Sequence, residues 1–355
     1  MQNLKIKNSI SVIIVCCFLF MVLLNFRTVI YSVKDSMLLC YNTVIPALFI
    51  FMILSSFLSE LPASEIISIP FMPFFNLLKI KNKKIVSYCI LSVIGGFAMG
   101  GFFLNKICEE TDEDKNLVTV LSILMSNNSP SFIILAVGVQ MLGSFKNGLI
   151  LYGCIILSSY ITAFIFSFIY TYKDVEHEVK KSNNNTNITK AIKTSTNNLI
   201  NICGVVIFAC TLCNIIQLYT DNSLIILALS GITEVTTCCK YIFDFFSNNI
   251  YLYCIALSFL PLSSMLQIKS FFKNNSLNFK VVYYAKIIQT ALSVLFLRII
   301  INLFPQTSSV YAPNNSIKIN MYWNKPQISF CFLLISLCFA FFVDKQIKLF
   351  TINKK

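Results

Sequence analysis

The amino-acid sequence predicts an all-α, polytopic transmembrane helical bundle of roughly eight to ten segments. Three observations carry that expectation: an excess of apolar residues, their grouping in blocks of span length, and polar breaks that recur in both halves of the chain. Apolar residues make up 56% of the 355 positions and charged residues only 12%. Soluble globular chains carry roughly a quarter charged residues. The blocks are Ser11 to Phe26, Val44 to Leu58, Gly148 to Ile169, Leu199 to Ile216, Val281 to Ile301 and Ile328 to Val343. Each approaches or reaches the roughly 20 residues that a helix needs, at about 1.5 Å per residue, to cross the hydrocarbon core. A membrane barrel is excluded by pattern, because Val12 to Phe20 shows none of the alternation that barrel strands require.

The first block follows Lys5 and Lys7 and ends in Asn25-Phe26-Arg27 with no small-residue cleavage site. It reads as a retained span rather than a secretory signal. Residues 1–43 are then an N-terminal span with an amphipathic connection, and 44–171 a first repeat of the membrane domain. A polar Lys/Asn-rich loop takes 172–198, a second repeat 199–303, and a polar loop, last span and basic tail 304–355. The net charge of +13 does not point to nucleic acid. The lysines (Lys79 to Lys84, Lys173 to Lys193, Lys345 to Lys355) lie between apolar blocks, as in cytoplasmic loops of a membrane protein. Both termini are expected in the cytoplasm. The partner implied is the lipid bilayer, and a homo-oligomer is left open.

The breaks inside the apolar runs carry the chemistry. Gly95-Gly96-Phe97-Ala98-Met99-Gly100-Gly101 interrupts the first half, and Ser126-Asn127-Asn128-Ser129-Pro130-Ser131 follows. In the second half Gly231 to Thr237, with Glu234 inside it, precedes Pro261 to Gln267. The two sets are offset by roughly 135 residues, the footprint of a transporter built from two structural repeats with broken or re-entrant helices. Whether the repeats are inverted stays open at this point.

Glu234 is the ionisable group within an apolar segment, flanked by Thr233, Thr236 and Thr237. Such a group costs about 2.5–3.5 kcal/mol at mid-bilayer and marks a substrate, ion or proton site. The competing reading places it near a membrane surface, beside Lys240 and Asp244. Asn127, Asn128 and Ser129 offer donors and acceptors beside Pro130, which removes a backbone donor. The alternative there is an ordinary loop. Gly95, Gly96 and Gly100 allow a re-entrant turn, although Gly96 and Gly100 also stand in helix-packing spacing. Gln267, with Ser263 and Ser264, is the polar cluster of the fourth break; it could instead mark the end of a span before Lys269.

The 14 cysteines lie mostly inside apolar blocks, where they behave as small hydrophobes. The Cys210/Cys213 spacing lacks further metal ligands, because the one histidine is His177 in a polar loop. No phosphate loop and no Ser–His–Asp or Cys–His set is present, so no catalytic residues, cofactor or metal are expected and the chain is not read as an enzyme.

At these positions the chain resembles the sporulation integral membrane protein YlbJ family, within the broader nucleoside-recognition (Gate) group. The stretches that carry the resemblance are Val44 to Phe51, the Gly96-Phe97-Ala98-Met99-Gly100 turn, the segment ending in Pro130, Glu234-Val235-Thr236 and the break containing Gln267, over roughly residues 40 to 300. The chain has Ala98 where the family's turn usually has Pro, a shifted Asn before Pro130, and Pro261-Leu262 in place of a glycine pair. The resemblance implies a multi-pass protein in the mother-cell-derived membrane around the forespore. It also implies a carrier of a small anionic heterocycle, dipicolinic acid, with Na+ or H+ as coupling ion. Carried onto this chain, the binding set is Asn127, Asn128, Ser129 and Pro130 with Glu234, Thr236 and Gln267. The alternatives are a non-transporting scaffold or regulator of cortex formation and a nucleoside carrier.

Overall fold

The structure is a computed structural model that describes residues 16, 19–110, 115–172, 188–220, 222–246, 249–271 and 277–303. The expected last span and basic tail lie outside the described residues, as do the start of the expected first span and most of the 172–198 loop. Among the described residues the chain is helical and without strands, an all-α bundle. The chain opens with α1 (Phe26–Leu39), which passes through a π-helical turn, Cys40–Val44, into α2 (Ile45–Glu60). A 3-10 segment, Pro62–Phe71, leads to the short α3 (Met72–Leu77). Then come α4 (Lys83–Gly95), α5 (Phe97–Glu110), α6 (Lys115–Met125), a π-helix (Ser131–Met141) and α7 (Phe145–Ile169). The second half holds α8 (Ile188–Gln217), α9 (Ser223–Thr233), α10 (Val235–Phe245), α11 (Ile250–Ser258), α12 (Leu262–Phe271) and α13 (Phe279–Leu303).

Helix starts are set locally. Asn82, Asn222 and Asn249 each accept hydrogen bonds from the backbone of the first turn that follows, as does Ser144 before α7. These residues satisfy N–H groups that an apolar helix cannot satisfy for itself. Three helices, α7, α8 and α13, and the jointed pair α11–α12 are long and apolar enough to cross a membrane, with α1–α2 a fifth, bent crossing. By contrast α6, α9, α10 and the π-helix have 11 residues each. At about 1.5 Å per residue each reaches little more than half of a ~30 Å core. They therefore have to work in pairs.

The contacts show how the pairs run. One face of the bundle gathers the ends of α2, α5 and α7 with the starts of α6 and α8. There Lys190 pairs with Glu60 at 3.5 Å, Lys106 Nζ donates to Ser59 Oγ, and Asn116 donates to the Thr171 carbonyl. The Tyr172 hydroxyl donates to the Leu78 carbonyl at the same face. The opposite face holds the start of α1 and the end of α8, where Asn25 Nδ2 donates to the Tyr219 hydroxyl. It also holds the start of α7, whose Gly148 packs on Gly138 of the π-helix. Thus α4 and α5 enter and leave by the first face, turning at Gly96. The α6–π-helix pair crosses from first to second face, and α7 returns.

The second half repeats this upside down. From the first face α8 crosses to the second, where α9 starts. Tyr241 and Ile242 of α10 share a core with Leu151, Ile250 and Leu297, so α10 returns to the second face. The α11–α12 pair then crosses back, its α12 packed along α5, where Gly101 abuts Ile268 and Phe271. Finally α13 crosses again, from Val281 in the first core to Leu297 in the second. Two repeats of span, re-entrant hairpin, broken span and span, opposite in direction, make an inverted-topology pair. That decides the point the sequence leaves open.

Two boundaries differ from the sequence reading. Helix α8 begins at Ile188, not near Leu199, because Ala191, Ser195 and Asn198 form a small, buried face while the lysines point outward. The fourth break is Phe259 to Pro261, earlier than expected, so Ser263, Ser264 and Gln267 stand on the first turns of α12.

Candidate functional site

The buried apolar residues form two clusters, one toward each face. Between them lies a cavity of about 50 Å³ to which all four breaks contribute. Gly95 and Gly96 come from the first hairpin, Asn128 and Ser129 from the first broken span, Glu234 and Thr236 from the second hairpin, and Ser264 and Gln267 from α12. Val44 and Leu48 of the first repeat and Ile202 and Val206 of α8 close it with apolar surface.

Each break turns for a stated reason. Gly96 has φ 79°, a conformation that L side chains rarely adopt, and a Cβ there would lie 3.0 Å from the Ser129 backbone nitrogen. The two breaks of the first repeat thus touch through a position where only hydrogen fits. Glu234 is extended, at φ −158° and ψ 130°, and caps α10. Its Oε2 accepts from the Thr237 backbone N–H at 2.6 Å and from Thr237 Oγ1 at 3.1 Å, and its Oε1 accepts from Thr236 Oγ1 at 3.0 Å. Cys210 Sγ lies 2.6 Å from Thr237 Oγ1 and Cys213 Sγ 2.9 Å from Thr233 Oγ1. Since the Thr237 hydroxyl proton goes to Glu234, the Cys210 thiol is the donor in its pair. The CxxC pair of α8 therefore braces the threonines around Glu234. Among the described residues no group of three or more His, Cys, Asp or Glu side chains gathers as a metal site.

Glu234 is 2% exposed, and no basic side chain pairs with it among the described residues. Ser264 and Gln267 are buried, line the cavity, and make no side-chain hydrogen bond among the described residues. They are therefore free to serve a ligand, since buried polar groups otherwise find partners. Asn128 lines the cavity and donates to the Leu257 carbonyl of α11 at 2.8 Å, which ties the two broken spans together.

Two helices start with residues that line the cavity, α5 at Phe97 and α10 at Val235. Helix starts carry unsatisfied N–H groups and partial positive charge, which favour a negatively charged group. Glu234 offsets this on one side. The space holds a few waters or an ion in the conformation seen, given the ~10–15 Å³ that one water takes; a heterocycle needs the hairpins to part.

Three of the expected residues stand elsewhere. Asn127 turns away from the cavity, toward α7 and α13. Its amide donates to the Leu124 carbonyl and to Ser159 Oγ, and its Oδ1 accepts from Lys286 and Gln289. Pro130 is the first residue of the helical turn leading into the π-helix and does not line the cavity. Gly100 packs against α6, where a Cβ would lie 2.1 Å from the Met125 carbonyl oxygen. Lys286 is the residue that sequence reasoning missed, since Val281 to Ile301 reads as an almost uncharged span. Lys286, Gln289 and Ser293 are all buried on one face of α13, and their i, i+3, i+7 spacing was the available signal.

Comparison with protein-family models, with curated proteins and with solved structures finds no match to this chain.

Proposed function

We propose that this multi-pass membrane protein is a carrier whose solute site is the cavity at the meeting of its four breaks. The observation that carries this reading is the convergence of one hairpin and one broken span from each inverted repeat on the same cavity, where six polar side chains meet an apolar wall. In transporters of inverted design, discontinuous helices place their ends at a site near mid-membrane, and access alternates as one part rocks against the other. Irregular backbone at that depth is tolerable only where it is buried in protein or lines a cavity.

The solute is a small anion. Support comes from the starts of α5 and α10 at the cavity and from the free side chains of Ser264 and Gln267. The resemblance to the YlbJ family narrows it to an aromatic heterocyclic dicarboxylate, dipicolinic acid, carried across the membrane around the forespore. Glu234 then serves the coupling ion, Na+ or H+, whose positive charge lets an anion sit beside a carboxylate. No chemistry is performed on the solute.

The test is uptake of dipicolinate into liposomes carrying the purified protein, under imposed Na+ or proton gradients. Gradient-dependent uptake, lost in Glu234→Gln and Asn128→Ala, is expected. If both variants transport as the parent does, the site assignment fails. If the parent moves uridine and not dipicolinate, the solute is a nucleoside, and if it moves neither, the carrier reading falls.

A further inference from the structure

A second buried polar site stands one residue along the chain from the cavity. Lys286 is 1% exposed, at a depth where a charged or polar group without partners is costly. Its Nζ donates to Asn127 Oδ1 at 2.9 Å and to Gln289 Oε1 at 2.7 Å. Gln289 Nε2 donates to the same Asn127 oxygen at 2.8 Å, and its contact with the Ile155 carbonyl fixes it against α7. The helices packed along α13 are α6, α7 and α11. Their titratable groups are Lys115, Lys146, Tyr152, Cys154, Tyr160, Tyr251, Tyr253 and Cys254, and none of these helices carries a carboxylate. Among the described residues the amine is held by two neutral side-chain oxygens, those of Asn127 and Gln289.

Its partner decides what it does. Asn127 and Asn128 are adjacent in a non-helical segment, and the side chain of Asn127 is held on α13 while Asn128 lines the cavity. Asn128 and Ser129 line the cavity, and Ser129 meets the tip of the first hairpin at Gly96. We propose that Lys286 is the positioning residue of the cavity: its amine holds the Asn127 side chain on α13, and thereby sets the course of the break from which Asn128 and Ser129 line the solute site. The place it occupies is one that a small alkylammonium ion fills when the side chain is removed. The inference takes the cavity of the proposed carrier as its object, but its primary test needs no solute.

That test is amide hydrogen exchange on the purified full chain, read by mass spectrometry over residues 124–132. In Lys286→Ala, exchange across the break rises about tenfold, in line with the loss of its hydrogen bonds, while the distant ends of α1 and α8 keep the parent's rates. Ethylammonium chloride restores the slow exchange, and tetramethylammonium chloride at the same ionic strength does not, because it has no N–H to donate. Where uptake is measured, KM rises and the same ethylammonium lowers it again. Unchanged exchange at the break overturns the proposal, as does a rise spread over all helices. A local rise that ethylammonium leaves in place assigns Lys286 a packing role and overturns it too. Should Lys286→Ala not accumulate, Lys286→Gln, which keeps one donor, is expected to give a smaller rise confined to the same segment, and parent-like exchange there sinks the idea. A parent that moves no dipicolinate defeats the carrier reading while leaving this exchange test intact.

Discussion

Ser158 Oγ and Ser293 Oγ lie 3.0 Å apart across the contact of α7 with α13, and the two serines are 135 positions apart in the chain. That separation matches the offset between the breaks of the two halves, so each serine occupies its partner's place in the other repeat. A residue that touches its own equivalent sits on the two-fold axis relating the two units, the intramolecular counterpart of an isologous interface. Each hydroxyl also donates to a carbonyl of its own helix, Ser158 to Ile155 and Ser293 to Gln289. The hydroxyl pair is thus less a source of energy than a sign of close approach. Ser158→Ala with Ser293→Ala is expected to cost under about 1 kcal/mol, since both partners go together. Ser158→Leu forces the helices apart and costs about 1–3 kcal/mol. Thermal unfolding in detergent, read side by side, checks the contrast.

The glycines give a sharper contrast. At Gly100 a Cβ meets the Met125 carbonyl oxygen at 2.1 Å, a backbone atom that cannot step aside, and Gly96 adds a left-handed φ to a tight contact. Gly96→Ala and Gly100→Ala are each expected to destabilise by at least ~1–3 kcal/mol, through strain in one case and overpacking in the other. Gly153 and Gly204 have nothing within 4 Å of the added carbon and sit inside long helices. Their alanine variants should be neutral or more stable by up to about 1 kcal/mol. Melting temperatures of the four variants rank them, and equal losses at all four would contradict the packing described.

Much of this was legible in the sequence for a physical reason. A hydrocarbon environment punishes polar residues, so Gly, Pro, Asn and a lone Glu inside apolar runs stand out; three breaks could be placed from letters alone, and the fourth lies a few residues earlier than its polar letters suggest. What escaped depends on tertiary direction. Asn127 and Asn128 are the same residue type side by side, and only the fold sends one to Lys286 and the other to the cavity. Lys286 escaped because a single lysine barely dents the hydropathy of a 25-residue apolar helix. The start of α8 escaped because its buried face is made of Ala191, Ser195 and Asn198, small and polar residues that read as linker.

Glu234 has two separable duties, capping α10 and facing the cavity. Glu234→Gln keeps an oxygen for the Thr237 N–H and should retain most of the stability while abolishing ion-coupled uptake. Glu234→Ala loses all three hydrogen bonds and is expected to cost about 1–2 kcal/mol, as removal of an N-cap does. The measurement is a pair: melting temperature and gradient-driven dipicolinate uptake on the same preparations. Equal destabilisation by both substitutions would leave Glu234 a cap and nothing more.

The charge distribution over the two faces predicts how the protein sits in its membrane. Lys79, Lys81, Lys83 and Lys84 lie in or beside the turn into α4, and Lys190 and Lys193 begin α8, all at the first face. The second face carries Arg27, Lys146 and Arg298 near the ends of α1, α7 and α13, with Lys240 in the returning α10. Basic residues are retained on the cytoplasmic side, and short loops weigh most. The first face is therefore expected in the cytoplasm, and the first hairpin opens from there while the second opens from the opposite side. An epitope inserted after Lys81 should be reached by antibody only once the cells are permeabilised. The same epitope at Gly143, where the turn between the π-helix and α7 has open space around it, should be reached in intact spheroplasts. The reverse pattern would invert the protein, and with it the direction in which the hairpin bearing Glu234 faces.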